Sequence, residues 1–247
     1  MQQLQGKTAL VTGGSRGIGA AIVRKLAEAG ADVAFTYRKS DETARQLVDE
    51  LRGLGVRASA YQADAGKPES LPEMVQAVAD DFGGLDILVN NAGIPGSGMI
   101  GEIEYGKYRH TMAVNVDAVF TTTNAAVKVM SDGGRIINIG SILGERASTS
   151  GMSIYNASKF AVAGLSRSWA KDLGPRGILV NAVQPGPIDT DLNPSDDSEK
   201  ASFMRGMTAL GRYGTAEEVA ALVVFLAGPD AGNITGATLN VDGGWNA

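Results

Sequence analysis

Short β-rich runs alternate with helix-length amphipathic segments along almost the whole chain. The runs are 7–11, 33–36, 57–62, 85–90, 135–140, 178–184 and 238–241, and helical patterns begin near Gly17, Asp41, Glu69, Tyr105, Ser153 and Thr215. Two strands separated by a helix cannot be joined by a tight hairpin, so they lie parallel and the helix packs on a face of their sheet. Runs such as T-A-L-V-T and D-I-L-V-N are apolar along most of their length, as strands covered on both faces must be. The pattern predicts an α/β fold: a doubly wound, seven-stranded parallel sheet with helices on both faces.

Connections stay short until Pro185, and no linker or repeat interrupts them, so residues 1–247 read as one domain. The exception is 186–211, which carries P-G-P-I-D-T-D-L-N-P-S-D-D-S-E-K and then the apolar Phe203, Met204 and Met207. A long irregular connection at the end of a sheet reads as a lid over a ligand. Composition removes several classes of chemistry. The chain has no cysteine and one histidine, His110, so thiol nucleophiles and multi-histidine metal sites are excluded and no metal is expected. The lack of cysteine fits a reducing cytoplasm. A net charge of −5 without any Lys/Arg block argues against nucleic acid. No stretch approaches the ~20 apolar residues of a membrane span, and the opening M-Q-Q-L-Q-G-K has no apolar signal core.

The first strand runs into T-G-G-S-R-G-I-G, Thr12 to Gly19, and then into a helical pattern. Gly13, Gly17 and Gly19 permit a tight strand-to-helix turn and a close approach of pyrophosphate to the backbone. The helix N-terminus then offers free N–H groups and the positive end of its dipole. The loop reads as the nucleotide site of a Rossmann-type domain, with G-x-x-x-G-x-G spacing in place of the G-x-G-x-x-G fingerprint. The second strand's end distinguishes the two nicotinamide dinucleotides. An NAD site places a carboxylate there for the ribose 2′-hydroxyl. Here the chain reads F-T-Y-R-K-S, with Tyr37, Arg38 and Lys39, and no acid precedes Asp41. A guanidinium fork suits a 2′-phosphate, and Arg16 can reach the same region, so the residues select NADP(H).

Tyr155 and Lys159, in S-I-Y-N-A-S-K-F, stand four residues apart on one helix face. The spacing predicts that the ammonium lowers the phenol pKa and tunes it as acid or base for a carbonyl–alcohol pair. Ser141 falls just past the fifth strand, at the carboxyl edge where open α/β sheets bind ligands.

Together these residues resemble the short-chain dehydrogenase/reductase family over nearly the whole chain. The carriers of the resemblance are the glycine loop, Asp64 in Q-A-D-A-G, Asn90 to Gly93 in N-N-A-G, Asn115 in M-A-V-N-V-D, Ser141, Tyr155, Lys159, P-G-P-I-D-T at 185–190 and D-G-G-W at 242–245. The resemblance implies a catalytic tetrad of Asn115, Ser141, Tyr155 and Lys159. It implies cofactor contacts from Gly13, Ser15, Arg16, Gly17, Ile18, Gly19, Tyr37, Arg38, Lys39, Asp64, Asn91, Ala92, Gly93, Tyr155, Lys159, Pro185, Gly186, Ile188 and Thr190. It also implies a homotetramer or homodimer. The branch it suggests holds 3-oxoacyl-(acyl carrier protein) reductases and broad ketone reductases.

The substrate pocket expected from this placement is Ile94, Met99, Leu143, Met152, Phe203 and Met207, beside Ile188. These are apolar side chains suited to a medium-sized ketone or aldehyde, or to the corresponding alcohol. Only Arg109, Arg146 and Arg205 could greet an acidic acyl carrier, which places the fatty-acid role second. Glu145 and Arg146 are expected to pair with each other. The rival from another class is a nucleotide-binding regulatory protein without turnover, whose mark would be a lost tetrad residue.

Overall fold

The computed structural model describes residues 3–247. The elements follow the chain as β1 (Thr8–Val11), α1 (Gly17–Glu28), β2 (Asp32–Tyr37), α2 (Asp41–Gly53), β3 (Ala58–Gln62), α3 (Leu71–Phe82) and β4 (Leu85–Asn90). There follow α4 (Tyr105–Met112), α5 (Ala118–Val129), β5 (Met130–Ile139), α6 (Ser153–Leu173), β6 (Leu179–Pro185), α7 (Glu199–Met207), α8 (Ala216–Ala227) and β7 (Thr238–Val241). All seven strands join one parallel sheet in the order β3-β2-β1-β4-β5-β6-β7. The expected α/β, doubly wound architecture is therefore present.

Alternation along each strand explains the two cores. Ala9 and Val11 of β1 face α1, α2 and α8, together with Val33, Phe35, Ile87 and Val89. Leu10 points the other way, with Ala34, Leu88 and Ile136, toward α3, α5 and α6. Covering both faces buries nearly every side chain in β1 and β4, which is why these strands read as continuous apolar runs. The strand order reverses between β1 and β4. Connections from these strands leave in opposite directions there, opening a crevice at their carboxyl ends.

Two local features differ from the sequence expectation. The helical pattern from Tyr105 to Met130 is two helices joined by a π-helical turn, Ala113–Asp117, with Asn115 at its centre. One residue too many in the turn lifts a side chain out of the regular ladder, so the break at Asn115 takes this form. The fifth strand begins at Met130 rather than near Arg135, with its register against β4 shifting between Leu85 and Ile87. Glycines at 133 and 134 hid that extension, since an irregular strand start carries no alternation. No helix among the described residues is long and apolar enough to cross a membrane.

Candidate active site

A cleft of about 930 Å³ runs along the carboxyl ends of β1, β2, β4, β5 and β6. Its size is that of a small-molecule or cofactor site. One end is built by the glycine loop. Gly13 and Gly17 have φ values of +66° and +53°, which a side chain would strain. Gly19 is the most constrained: a Cβ there would lie 2.2 Å from the Gly13 carbonyl oxygen and 2.6 Å from Asn91 Nδ2. The Asn91 amide is what occupies that space. Its Nδ2 donates to the carbonyls of Thr12 and Gly13, each at 3.0 Å, pinning the loop to the end of β4. Thr12 Oγ1 accepts from the backbone N–H of Asn91 and of Ala92, both at 3.0 Å.

Gly14 was not singled out by the motif, yet it too has a reason. A Cβ there would meet Phe35 Cβ at 2.5 Å, so the second glycine of the loop serves core packing. We expect Gly19→Ala to weaken NADPH binding and to cost about 1–3 kcal/mol of stability by overpacking. Gly53→Ala, where a Cβ meets nothing within 4 Å, should do neither. Fluorescence titration and thermal melts of both variants check this pair.

The loop delivers the chain into α1 with its first turn open. Arg16 precedes the helix in an extended conformation, no side chain caps it, and its first turn contains no acid. Free N–H groups at a positive dipole end can hold a pyrophosphate. At the adjoining corner, Arg16, Arg38 and Lys39 line the cleft and are exposed. None of the three is in an ion pair among the described residues. The neighbouring Asp41 carboxylate is engaged: Oδ1 accepts from the Tyr37 hydroxyl and Oδ2 faces Arg45, both at 2.7 Å. Three cations that form no ion pair among the described residues fit a 2′-phosphate better than a bare ribose. Asp64 lines the same end, where its Oδ1 accepts from Gly66 N at 2.9 Å. His110, exposed at the end of α4, lies against this Asp64–Gly66 turn.

At the other end of the cleft stand Ser141, Tyr155 and Lys159. Ser141 closes β5 and starts a short 3₁₀ turn, Ile142–Gly144, whose Leu143 N–H donates to its hydroxyl at 3.2 Å. A buried amide chain fixes α6 against the sheet. Asn90 Nδ2 donates to Asn138 Oδ1 at 2.8 Å, and Asn138 Nδ2 donates to Ser166 Oγ on α6 at 2.8 Å. That docking places Lys159 and Tyr155, about two and three turns earlier on the same helix, at the cleft wall.

Lys159 is 6% exposed. Its Nζ donates to the Ile139 carbonyl at 2.9 Å and lies 5.5 Å from the centre of the Tyr155 ring. Desolvation pulls its ammonium down to about 8. The spacing alone predicts that this charge lowers the Tyr155 pKa. The structure gives the opposite net direction. One side of Tyr155 is open to the cleft, but burial of the rest pushes the phenol up, and only the hydrogen bond with Ser141 opposes it. The lysine's own hydrogen bond goes to the Ile139 carbonyl rather than to the phenol oxygen.

Asn115 sits at the centre of the π turn. It is 1% exposed and lies behind the cleft wall. Its Oδ1 accepts from Ile94 N at 2.9 Å, and its Nδ2 donates to the Ile94 carbonyl at 2.9 Å and to Ser158 Oγ at 3.0 Å. The side chain braces the strand-four loop and α6 rather than facing a ligand. The π turn directs it there.

The remaining cofactor positions, Ser15, Ile18, Ala92, Gly93, Pro185, Gly186, Ile188 and Thr190, all line the cleft. Thr190 overhangs the glycine loop: its Cγ2 would stand 3.6 Å from a Cβ on Gly17. Of the expected pocket, Ile94, Leu143 and Met152 line the cleft. Met99, Phe203 and Met207 do not, being 51%, 54% and 41% exposed. The reason for the last two is helical phase. The inward face of α7 is Ala201 and Met204, with Thr208 beyond its end, and residues 203 and 207 lie on the opposite side. Leu192, Met204 and Trp245 reach the cleft instead. Periodicity could have selected Met204. Trp245 gave no such signal, because it arrives by a fold-back of the C-terminus, where Asn246 Nδ2 donates to the Ile142 carbonyl at 3.3 Å. Glu145 is bonded to Gln184 and Asn240 rather than to Arg146. No group of acidic or histidine side chains among the described residues could hold a metal.

Residues 13–246 match the family described as enoyl-(acyl carrier protein) reductase. A short-chain dehydrogenase from Burkholderia cenocepacia, solved in complex with NADP, is 51% identical with a TM-score of 0.97, over 99% of this chain and 100% of that one. The chain belongs to the short-chain dehydrogenase/reductase family. Among curated members of this oxidoreductase family, the cyclic-di-GMP-binding biofilm dispersal mediator protein of Escherichia coli K12 is 42% identical, covering all of both chains. The 3-oxoacyl-(acyl carrier protein) reductase of Vibrio cholerae is 39% identical over 98% of each.

Proposed function

We propose that the protein is an NADP(H)-dependent reductase of compact, largely apolar ketones or aldehydes, with the reverse alcohol oxidation open to it. The cofactor is NADP(H), as in the family's solved complexes with NADP and NADPH. The observation that carries the reading is a single cleft holding an uncapped helix N-terminus, three unpaired cations and, at its far end, Ser141, Tyr155 and Lys159 together. When bound there, the cofactor supplies the hydride.

The chain's own groups handle the proton and the oxygen. Ser141 Oγ holds the substrate oxygen at the carboxyl edge of β5. Tyr155, kept protonated by its raised pKa, donates its phenolic proton to that oxygen. Such help is worth roughly 10²–10⁴-fold. Lys159 places positive charge beneath the ring and is available to ribose hydroxyls. Asn115 fixes the Ile94 backbone and α6, and so holds Tyr155 in place. Leu143, Met152, Met204, Leu192 and Trp245 give the substrate end an apolar lining.

The fatty-acid role is less favoured, because Arg205 is already spent on the Asp196 carbonyl at 2.8 Å, leaving Arg109 and Arg146 to meet an acidic carrier. The exposed Phe120 on α5 and Phe160 on α6 support self-association through these two helices, as a homodimer or within a homotetramer. The name of the E. coli relative supports a second reading, a nucleotide-binding regulatory protein. Purified protein given NADPH and a panel of activated ketones separates the two. Consumption of NADPH supports the reductase; tight NADPH binding with no consumption for any ketone supports the regulator.

The ionisations also predict a pH profile. Reduction uses the protonated phenol and the charged lysine, both of which are low-pH forms. Activity is therefore level at low pH and lost as pH rises through the Lys159 value of about 8. The kcat/KM for NADPH, which reports the free enzyme, should show that descending limb. A profile that stays level well past that value contradicts the role given to Lys159.

A further inference from the structure

Glu145 lies four residues past Ser141, and the mechanism above gives it no task. Its carboxylate spans two strands. Oε1 accepts from Gln184 Nε2 at 3.2 Å, and Oε2 accepts from Asn240 Nδ2 at 3.0 Å. Gln184 of β6 and Asn240 of β7 are direct register partners, so their side chains leave the sheet on one face and side by side. Each amide N–H donates to a different carboxylate oxygen, so the ionised side chain accepts from both strands at once, whereas a carboxamide would offer one acceptor oxygen and place an N–H against the other donor. Gln184 is fully buried and its Oε1 has no partner among the described residues, so among them Glu145 alone orients that amide.

The other side of this tie is the turn that carries Ser141. Gly144 N donates to the Ser141 carbonyl at 2.8 Å, and Glu145 N donates to the Ile142 carbonyl at 3.1 Å. Gly144 sits directly on the backbone of Lys159: a Cβ there would lie 2.8 Å from the Lys159 carbonyl oxygen. The turn is thus wedged between α6, at its lysine, and the ends of β6 and β7. The Glu145 carboxylate is the side-chain fastening on the strand side.

We propose that Glu145 is a positioning residue, clamping the Ser141 turn to the β6–β7 edge so that the serine hydroxyl stays against Tyr155. The proposal rests on the reductase reading of the site. Misplacing a group that holds the reacting atom by a fraction of an ångström is costly, so Glu145→Gln should lower kcat for a ketone by about 10-fold or more. The affinity for NADPH, whose glycine loop and cations lie at the far end of the cleft, should not change.

Reciprocal exchange is the decisive test. In Glu145→Gln combined with Asn240→Asp, the new glutamine can accept from Gln184 and donate to the new aspartate, so turnover should return. Hydrogen exchange of the 142–145 amides, measured in the NADPH complex, reads the clamp without any substrate: faster in the single variant, restored in the double. Wild-type kcat and exchange in Glu145→Gln would overturn the proposal. So would a kcat loss that the exchange of partners does not repair, or one accompanied by an equal loss of NADPH affinity. A wild-type protein that reduces no ketone would sink the reductase reading instead, and unaltered amide exchange in Glu145→Gln would still remove the clamp.

Discussion

Tyr155→Phe is expected to lose about 10²–10⁴-fold in kcat, the worth of a positioned general acid, while binding NADPH as the wild type does. The substitution deletes one oxygen and one hydrogen and leaves the ring. The ring is what Lys159 Nζ faces at 5.5 Å, and the lysine's hydrogen bond goes to Ile139, so the cation keeps its position. The dinucleotide end of the cleft is untouched, because the glycine loop is held by Asn91 and Thr12 rather than by α6. Loss of the hydroxyl also removes a desolvated polar group, so the variant should not melt early. Stopped-flow or steady-state reduction beside a fluorescence titration of NADPH measures both halves. Wild-type-like turnover would remove Tyr155 from its role as acid.

Arg38→Asp is the second large effect. Arg38 stands at the end of β2 with no anionic partner, beside Arg16 and Lys39 on the cleft. Replacing the fork by a carboxylate turns attraction for a 2′-phosphate into repulsion. Like charges brought together in this way cost several kcal/mol, so kcat/KM for NADPH should fall by about 100-fold or more at 1.4 kcal/mol per decade. The same carboxylate can accept from a ribose 2′-hydroxyl, so activity with NADH should rise. Arg16 and Lys39 remain, which leaves some NADPH activity. Parallel kinetics with the two cofactors give the ratio. An unchanged ratio would show that the 2′-phosphate lies elsewhere.

The parts legible in the sequence were those set by local rules. Strand and helix alternation fixed the parallel sheet, because the apolar runs of β1 and β4 can be buried only with helices on both faces. The glycine loop was legible for the same reason: Gly13 and Gly17 lie within one strand–loop–helix unit and take the positive φ its turn needs. The substrate end was less so. Phe203 and Met207 have the right chemistry but the wrong helical phase. Trp245 and Glu145 act through contacts with residues roughly forty to one hundred positions away, which no local pattern encodes. The direction of the Tyr155 shift was also hidden. Spacing reports which charges are neighbours, whereas desolvation depends on everything else packed around the ring.

The most direct measurement follows the hydride itself. Wild-type protein should be given NADPH deuterated at the transferable position of the nicotinamide, together with an apolar ketone, and the products analysed by mass spectrometry. An alcohol carrying one deuterium on its carbinol carbon, formed in step with NADP, is the predicted result. Saturating NADPH binding with no deuterium in any alcohol, across ketones small enough for the cleft, would contradict the reductase assignment.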